Sequence, residues 1–113
     1  MVEYSDDETL SLLLKAVSDS TRRALLTQLC QQGASRVTDL ANHYDMSLNA
    51  ISKHIKVLES AGLVSREMRG RTHWIAADLE QTELMSDWLG ALRSIWALRL
   101  DKLEQLLNQG ENK

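Results

Sequence analysis

Apolar and polar residues alternate with the period of an α-helix through the first third of the chain. Leucine and valine recur three and four positions apart over residues 7–17, which predicts an amphipathic helix. Similar spacing over residues 19–32 predicts a second one. Gly33 is suited to end that second helix. Its inner side is expected to carry Leu25, Leu26, Leu29 and Cys30.

Two further helices are predicted on either side of a short turn. The first covers about residues 36–43 and is capped by Ser35, and the second begins after Ser47 and ends at Ala61-Gly62. The hydroxyl of Ser47 can accept a backbone N–H of the first turn, and Gly62 suits the left-handed conformation past a helix end. Two helices joined in this way are typical of a helix-turn-helix, whose second helix enters the major groove of DNA.

The pattern changes over residues 63–76, where two short strands flank the tripeptide Arg69-Gly70-Arg71. We interpret this segment as a β-hairpin with a basic tip. From about residue 80 to residue 108 the helical period returns, and a helix of that length would be roughly 40 Å long. The chain is therefore expected to be mainly α-helical with a small β-hairpin wing. We expect a single winged helix-turn-helix domain over residues 1–113, in the order of four helices, the hairpin and a last helix.

Charge divides the chain into three parts. Its 113 residues have a net charge of −3, which taken as a whole argues against nucleic acid as a partner. The net charge is −4 in residues 1–20 and −3 in residues 77–113, whereas residues 21–76 contain eight basic and four acidic residues, a net +4. Because the positive charge is concentrated on the predicted helix-turn-helix and hairpin, this middle part is suited to bind phosphates.

Composition excludes several classes of protein. The single cysteine leaves no internal disulfide framework, and the three histidines, His43, His54 and His73, lie on different predicted elements and form no preassembled zinc site. No run of 18 apolar residues and no signal-peptide pattern are present, so we expect a soluble, cytoplasmic protein with no membrane partner. The chain has no nucleophile–base pair and no glycine-rich phosphate loop. We therefore expect neither an enzyme nor a cofactor.

The helix after Ser47 has two different faces at about 100° per residue. Its apolar side carries Leu48, Ile51, Ile55 and Leu58, and its opposite side carries Asn49, Lys53, Lys56 and Ser60, with Ser52 at the border. An asparagine amide suits adenine and a lysine ammonium suits guanine in the major groove. A merely solvated helix would show the same two faces, but the basic hairpin tip that follows directly favours DNA.

The residues expected to contact DNA come from both elements. They are Ser47, Asn49, Ser52, Lys53, His54, Lys56, Arg66, Arg69, Arg71 and His73. For His54, which lies at the border of the two helix faces, a hydrogen-bonded structural role and a phosphate contact both remain open. His73 is either a wing contact or an ordinary surface residue.

The run SLNAISKHIKVLESAGLV, residues 47–64, closely resembles the recognition-helix segment of the ArsR/SmtB family of bacterial winged-helix repressors. The resemblance extends over nearly the whole chain. Residues 16–26 are similar to the opening of the family's second helix, with Ser20 where proline is usual, and Arg69-Gly70-Arg71 resembles the wing. The resemblance implies transcription regulation by a homodimer, which binds an operator in double-stranded DNA and blocks transcription until a signal weakens it. Because a two-fold dimer presents two recognition helices roughly 34 Å apart, we predict an inverted-repeat operator.

The resemblance also implies pairing through the first and last helices, over about residues 7–17 and 80–108. The expected dimer contacts are Leu10, Leu13, Leu14, Trp88, Leu92, Ile95, Trp96, Arg99 and Leu103. Trp88 and Trp96 are either core residues or the lining of an apolar effector pocket at the dimer seam. Arg99 lies within the apolar stripe, where it pairs with a carboxylate of the partner subunit, stacks on a tryptophan, or binds an anionic ligand.

The metal ligands used by many relatives are missing here. Residues 37–40 contain no cysteine and residues 78–113 contain no histidine, so the chain resembles a subgroup without these metal sites. We expect release by a non-metal signal, such as an unknown small-molecule effector. Two alternatives are a metal-responsive repressor with atypical ligands and a winged-helix protein-interaction module without DNA binding. Cys30 is expected to be a small core residue rather than a redox switch.

Overall fold

A computed structural model describes residues 5–111 of the chain. The helices and strands are, in order, α1 Asp6–Ala16, α2 Ser20–Gln32, β1 Ser35–Arg36, α3 Val37–Ala41, α4 Leu48–Ser60, β2 Val64–Arg69, β3 Thr72–Ala77, a 3₁₀ turn Glu80–Thr82, and α5 Glu83–Glu111. The predicted order of helices and hairpin is confirmed, and the fold is mainly helical with a small antiparallel sheet. This arrangement is the winged helix-turn-helix expected from the sequence.

Local capping chemistry fixes the ends of α2 and α4. The carboxylate of Asp19 accepts the backbone N–H of Arg22 at 3.1 Å, and the hydroxyl of Ser47 accepts that of Ala50 at 3.1 Å. Each of these bonds satisfies one of the N–H groups that an α-helix leaves without a partner in its first turn. Gly33 and Gly62 follow the two helices with φ of 81° and 77°, which confirms both predicted ends.

The sheet contains one strand that the sequence did not reveal. Its order is β1-β3-β2, with β1 antiparallel to β3 through the pairs Ser35–Ile75 and Arg36–Trp74. Ser35 is therefore not the cap of α3, and its hydroxyl donates instead to the carbonyl oxygen of Gly33 at 3.0 Å. The prediction was wrong because pairing with a strand 40 residues further along holds Ser35 and Arg36 in an extended conformation, so that α3 begins only at Val37.

The hydrophobic core lies where α1, α2, α3, α4 and the sheet meet. Its fully buried large side chains are Leu13, Leu25, Leu29, Leu40, Ile51, Ile55, Leu58, Leu63 and Ile75. Leu13 is thus a core residue and not a dimer contact, because it has no surface left for a partner. Cys30 was predicted to be buried but is exposed, since it lies beyond the edge of the buried stripe of α2.

Helix α5 leaves this core soon after it begins. Leu84 and Met85 pack against the core, but every described side chain from residue 86 to residue 110 is exposed. With 29 residues the helix is roughly 44 Å long, and it gives the molecule a long dimension of 77 Å. Trp88 and Trp96 are 42% and 64% exposed, so the alternative that they belong to the core of their own chain is wrong. None of the described helices is both long enough and apolar enough to cross a membrane.

Candidate nucleic-acid interface

Helix α4 separates its apolar and polar side chains as the sequence predicted, with one exception. Ile51, Ile55 and Leu58 are fully buried, whereas Asn49, Lys53, Lys56 and Ser60 are all exposed and Ser52 is half-buried. Leu48 was predicted for the apolar side but is 49% exposed. The core contacts α4 from Ile51 onward and does not extend to Leu48 at the start of the helix.

The positive charges of the two lysines of α4 are not balanced by any carboxylate that the structure describes. Within residues 5–111 the ion pairs join other residues, and neither Lys53 nor Lys56 takes part in one. Because Asn49 and Lys53 are four residues apart, their side chains lie one turn apart on the same exposed side. This side of α4 therefore combines unpaired positive charge with an amide that can both donate and accept hydrogen bonds.

The wing is the β2–β3 hairpin, residues 64–77, and its turn is made by Gly70 with φ of 65°. The guanidinium of Arg69 lies 4.5 Å from the centre of the Trp74 ring, and its Nη2 atom is 3.4 Å from Oε2 of Glu67. These two contacts hold Arg69 against the sheet and balance part of its charge. Arg71 is exposed and forms no ion pair among the described residues, so its charge is available at the tip.

Arg66 connects the wing to α4. Its Nε and Nη2 atoms lie 3.3 Å and 3.5 Å from the two carboxylate oxygens of Glu59. Arg66 was predicted as a DNA contact, whereas Glu59 was not considered. The pair joins β2 to the last turn of α4 and offsets the charge of Arg66.

An open groove of about 710 Å³ runs between α4 and the wing. One wall is formed by Leu48, Ser52, Lys56 and Glu59, the other by Arg66, Arg71, Thr72 and His73, and β1 and α3 close it with Arg36, Val37 and Thr38. Arg36 was missed by the sequence reasoning. Its guanidinium donates to both carboxylate oxygens of Asp39 at 2.8 Å and 3.2 Å, and this contact raises the pKa of Arg36. The spacing of opposite charges at i and i+3 was the available signal.

His54 turns away from the groove and toward the junction of α1 and α2. Its Nδ1 atom lies 3.3 Å from Nη1 of Arg22 and 3.8 Å from Oδ2 of Asp19. Because arginine can only donate, Nδ1 is the acceptor of this hydrogen bond. Of the two roles left open by the sequence, the structure favours the hydrogen-bonded structural one.

The remaining residues named in the sequence analysis lie on the wing, after α3, and along α1 and α5. His73 and His43 are exposed on the wing and after α3. The dimer residues of α5, together with Leu14 of α1, are exposed, and Leu10 is half-buried. Among residues 5–111 no three His, Cys, Asp or Glu side chains come close enough together to hold a metal ion.

The chain is similar to known regulators. Residues 19–66 match the family described as bacterial regulatory protein, arsR family. The arsenical resistance operon repressor of Bacillus subtilis (strain 168) is 34% identical over 85 residues, which are 69% of this chain and 79% of the repressor.

Solved structures agree with this match. An ArsR-like transcriptional regulator from Rhodococcus sp. RHA1 superposes with a TM-score of 0.74 at 28% identity, over 87% of this chain and 92% of that one. A homodimeric winged helix-turn-helix DNA-binding domain from Mycobacterium bovis shares the fold, with a TM-score of 0.60 at 21% identity over 90% of this chain and 95% of that one. The chain therefore belongs to the arsR family of bacterial regulatory proteins and is a DNA-binding transcriptional regulator, not an enzyme.

Proposed function

We propose that this regulator is a homodimeric repressor that binds an inverted-repeat operator in the cytoplasm and is released by a non-metal signal. The observation that carries the proposal is the exposed polar side of α4, whose lysines form no ion pair within residues 5–111, beside a wing that presents Arg71. Both elements project from one compact core. A phosphate backbone following this surface would meet positive charge on α4 and on the wing.

The proposed contacts fall into two groups. Asn49 and Lys53 read base edges in the major groove, because their side chains match the donor and acceptor patterns of adenine and guanine. Ser47, Ser52, Lys56, Arg69, Arg71 and His73 bind the backbone or the groove edge and set the register. His54 acts through its neighbour Arg22 and holds α4 in place. Arg66 also faces the DNA, but its ion pair with Glu59 offsets part of its charge.

The proposed dimer covers the apolar stripe of α5. Leu92, Ile95 and Leu103 are about half exposed or more, and a second copy of the chain would remove this surface from water. Leu10 and Leu14 of α1, together with Trp88, Trp96 and Arg99 of α5, complete the proposed interface. Two-fold pairing would place two α4 helices about 34 Å apart, one turn of DNA. The Mycobacterium bovis domain of the same fold is homodimeric, which supports pairing of two copies.

A binding experiment with two substitutions tests the proposal. A preferred duplex is first selected from a random-sequence pool, and dissociation constants are then measured by fluorescence anisotropy. Lys53→Ala is expected to weaken the preferred duplex at least about tenfold and unrelated duplexes much less. Arg71→Ala is expected to weaken all duplexes alike.

Arg93→Ala is the control, because it removes the same charge from α5, outside the proposed contact surface. It should leave both affinities close to those of the unaltered protein. Failure of the unaltered protein to prefer any duplex would contradict the proposed function. Equal losses from Lys53→Ala and Arg93→Ala would contradict the assignment of α4 as the reading element.

A further inference from the structure

Leu48 belongs to neither the buried nor the polar side of α4. It is the first residue of the helix, directly after the Ser47 cap. Ile51 is fully buried one turn further on, whereas Leu48 remains 49% exposed. The side chain therefore contributes an accessible apolar surface at the N-terminal end of the proposed recognition helix.

Leu48 lies in the wall of the groove between α4 and the wing. Ser52 and Lys56 continue the same wall, and the spacing of four residues places the three side chains in one row along α4. This row begins with an apolar group, continues with a hydroxyl and ends with a positive charge. In DNA, an apolar side chain suits the methyl group on the edge of thymine, and a positive charge suits a phosphate.

We propose that Leu48 contacts the 5-methyl group of a thymine in the operator and thereby contributes to sequence selection. This inference rests on the proposed function, in which α4 enters the major groove. The N-terminal residues of a recognition helix are those that reach base edges. Thymine carries an apolar methyl group in that groove, which distinguishes its edge from those of the other three bases.

A second copy of the chain is the less suitable occupant of this groove. Lys56, Arg66, Arg71 and Arg36 line it, against the single carboxylate of Glu59. Two such surfaces placed together would bring like charges close to each other, whereas the phosphates of DNA would neutralise them. The apolar stripe of α5 offers a separate surface for self-association.

Replacing thymine by deoxyuridine tests the contact, because it removes only the methyl group. In the duplex selected as above, each thymine is replaced in turn, and the dissociation constants of the unaltered protein and Leu48→Ala are measured. One thymine in each half-site is expected to show a loss of about fourfold with uracil for the unaltered protein. Altering both half-sites should weaken binding about 15-fold, since the two losses multiply. Leu48→Ala should bind the thymine and uracil duplexes equally.

Two further variants separate this contact from a general effect on folding. Leu48→Met keeps an apolar side chain and should restore most of the sensitivity to uracil. Met46→Ala removes a neighbouring side chain that is 41% exposed but does not line the groove, and it should retain full sensitivity.

Two failures have different meanings. If the unaltered protein selects no duplex, the proposed function fails and this inference falls with it. If a duplex is selected and bound but uracil has no effect at any position, or has the same effect with Leu48→Ala, only the inference is overturned. Loss of the sensitivity to uracil in Met46→Ala, with the sensitivity retained in Leu48→Ala, would also overturn it.

Discussion

Arg22 joins three elements of the structure through one guanidinium group. It donates to the carbonyl oxygens of Lys15 at 3.2 Å and Ala16 at 2.7 Å, and to Nδ1 of His54 at 3.3 Å. The last carbonyls of a helix have no partner within that helix, so Arg22 closes the end of α1. The same side chain holds α4 through His54, which links a proposed dimer helix to the proposed recognition helix.

Arg22→Lys is expected to lower the free energy of unfolding by about 2 kcal/mol, because an ammonium group cannot reproduce the three separated bonds of the planar fork. Thermal unfolding measures the change. Arg23→Lys is the matched control, since Arg23 is exposed and donates to one carbonyl, that of Val17. Equal effects of the two substitutions would show that the bonds from Arg22 to α1 and His54 contribute little.

Asp19, at the start of α2, makes the stability of the folded protein depend on pH. The backbone N–H of Arg22 donates to its carboxylate and lowers its pKa, and nearby positive charge adds to the effect. A carboxyl whose pKa is lower in the folded state stabilises the fold above its unfolded pKa, and this contribution is lost as pH falls through the folded pKa.

Asp19→Asn keeps a capping oxygen but cannot titrate, so its unfolding temperature should fall less steeply between pH 5 and pH 2 than that of the unaltered protein. Asp45→Asn removes an exposed carboxylate that caps no described helix, and it should follow the unaltered profile. Parallel profiles for Asp19→Asn and the unaltered protein would assign the acid sensitivity to other groups.

At the scale of elements, the pair between Glu59 and Arg66 controls how much charge the wing offers to DNA. The two side chains are 37% and 24% exposed and lie 3.3 Å apart. Glu59→Gln should free the charge of Arg66 and strengthen binding to all duplexes. The slope of log affinity against log salt should steepen by roughly 0.9 for each protomer bound. Salt titrations by anisotropy test this, with Glu104→Gln on α5 as the control of equal charge. An unchanged slope would mean that Arg66 does not reach a phosphate.

The elements that the sequence predicts well are those with local signals. The Ser47 cap, the Gly62 helix end and the Gly70 turn each follow from chemistry within a few residues. Strand β1 was not predictable in this way, because its extended backbone depends on β3 about 40 residues later. Leu48 followed the helical period of a buried stripe, but periodicity does not indicate where the core beneath a helix ends.

The prediction of the site was limited in the same way, because contacts between residues far apart in the chain leave no local pattern in the sequence. Arg22 and His54 are 32 residues apart, and no pattern along the chain pairs them. The sequence therefore located the exposed side of α4 and the basic tip of the wing. It did not reveal which of the basic side chains are already engaged within the protein. Arg66, Arg69 and Arg36 are engaged with carboxylates, whereas Lys53, Lys56 and Arg71 have no carboxylate partner in the part of the chain that the structure describes.

At the scale of the whole molecule, α5 decides the oligomeric state. Ile95 is 65% exposed in the middle of the apolar stripe, and Ile95→Asp would bury two like charges in the proposed interface. We expect the unaltered protein to sediment as a dimer at micromolar concentration and Ile95→Asp as a monomer. Leu79→Asp changes a leucine before α5 that is 47% exposed, and this variant should remain dimeric. A stable monomer of the unaltered protein would contradict the proposed assembly.

The monomeric variant Ile95→Asp also tests whether both protomers of the dimer contact DNA. The net charge of +4 in residues 21–76 is present once in each protomer, between acidic ends. If both protomers of the dimer contact the operator, twice as many counterions are released as with one protomer. The slope of log affinity against log salt for Ile95→Asp on a half-site should therefore be about half that of the dimer on the full operator. Equal slopes would mean that only one protomer binds at a time, and an inverted repeat would then have no role in recognition.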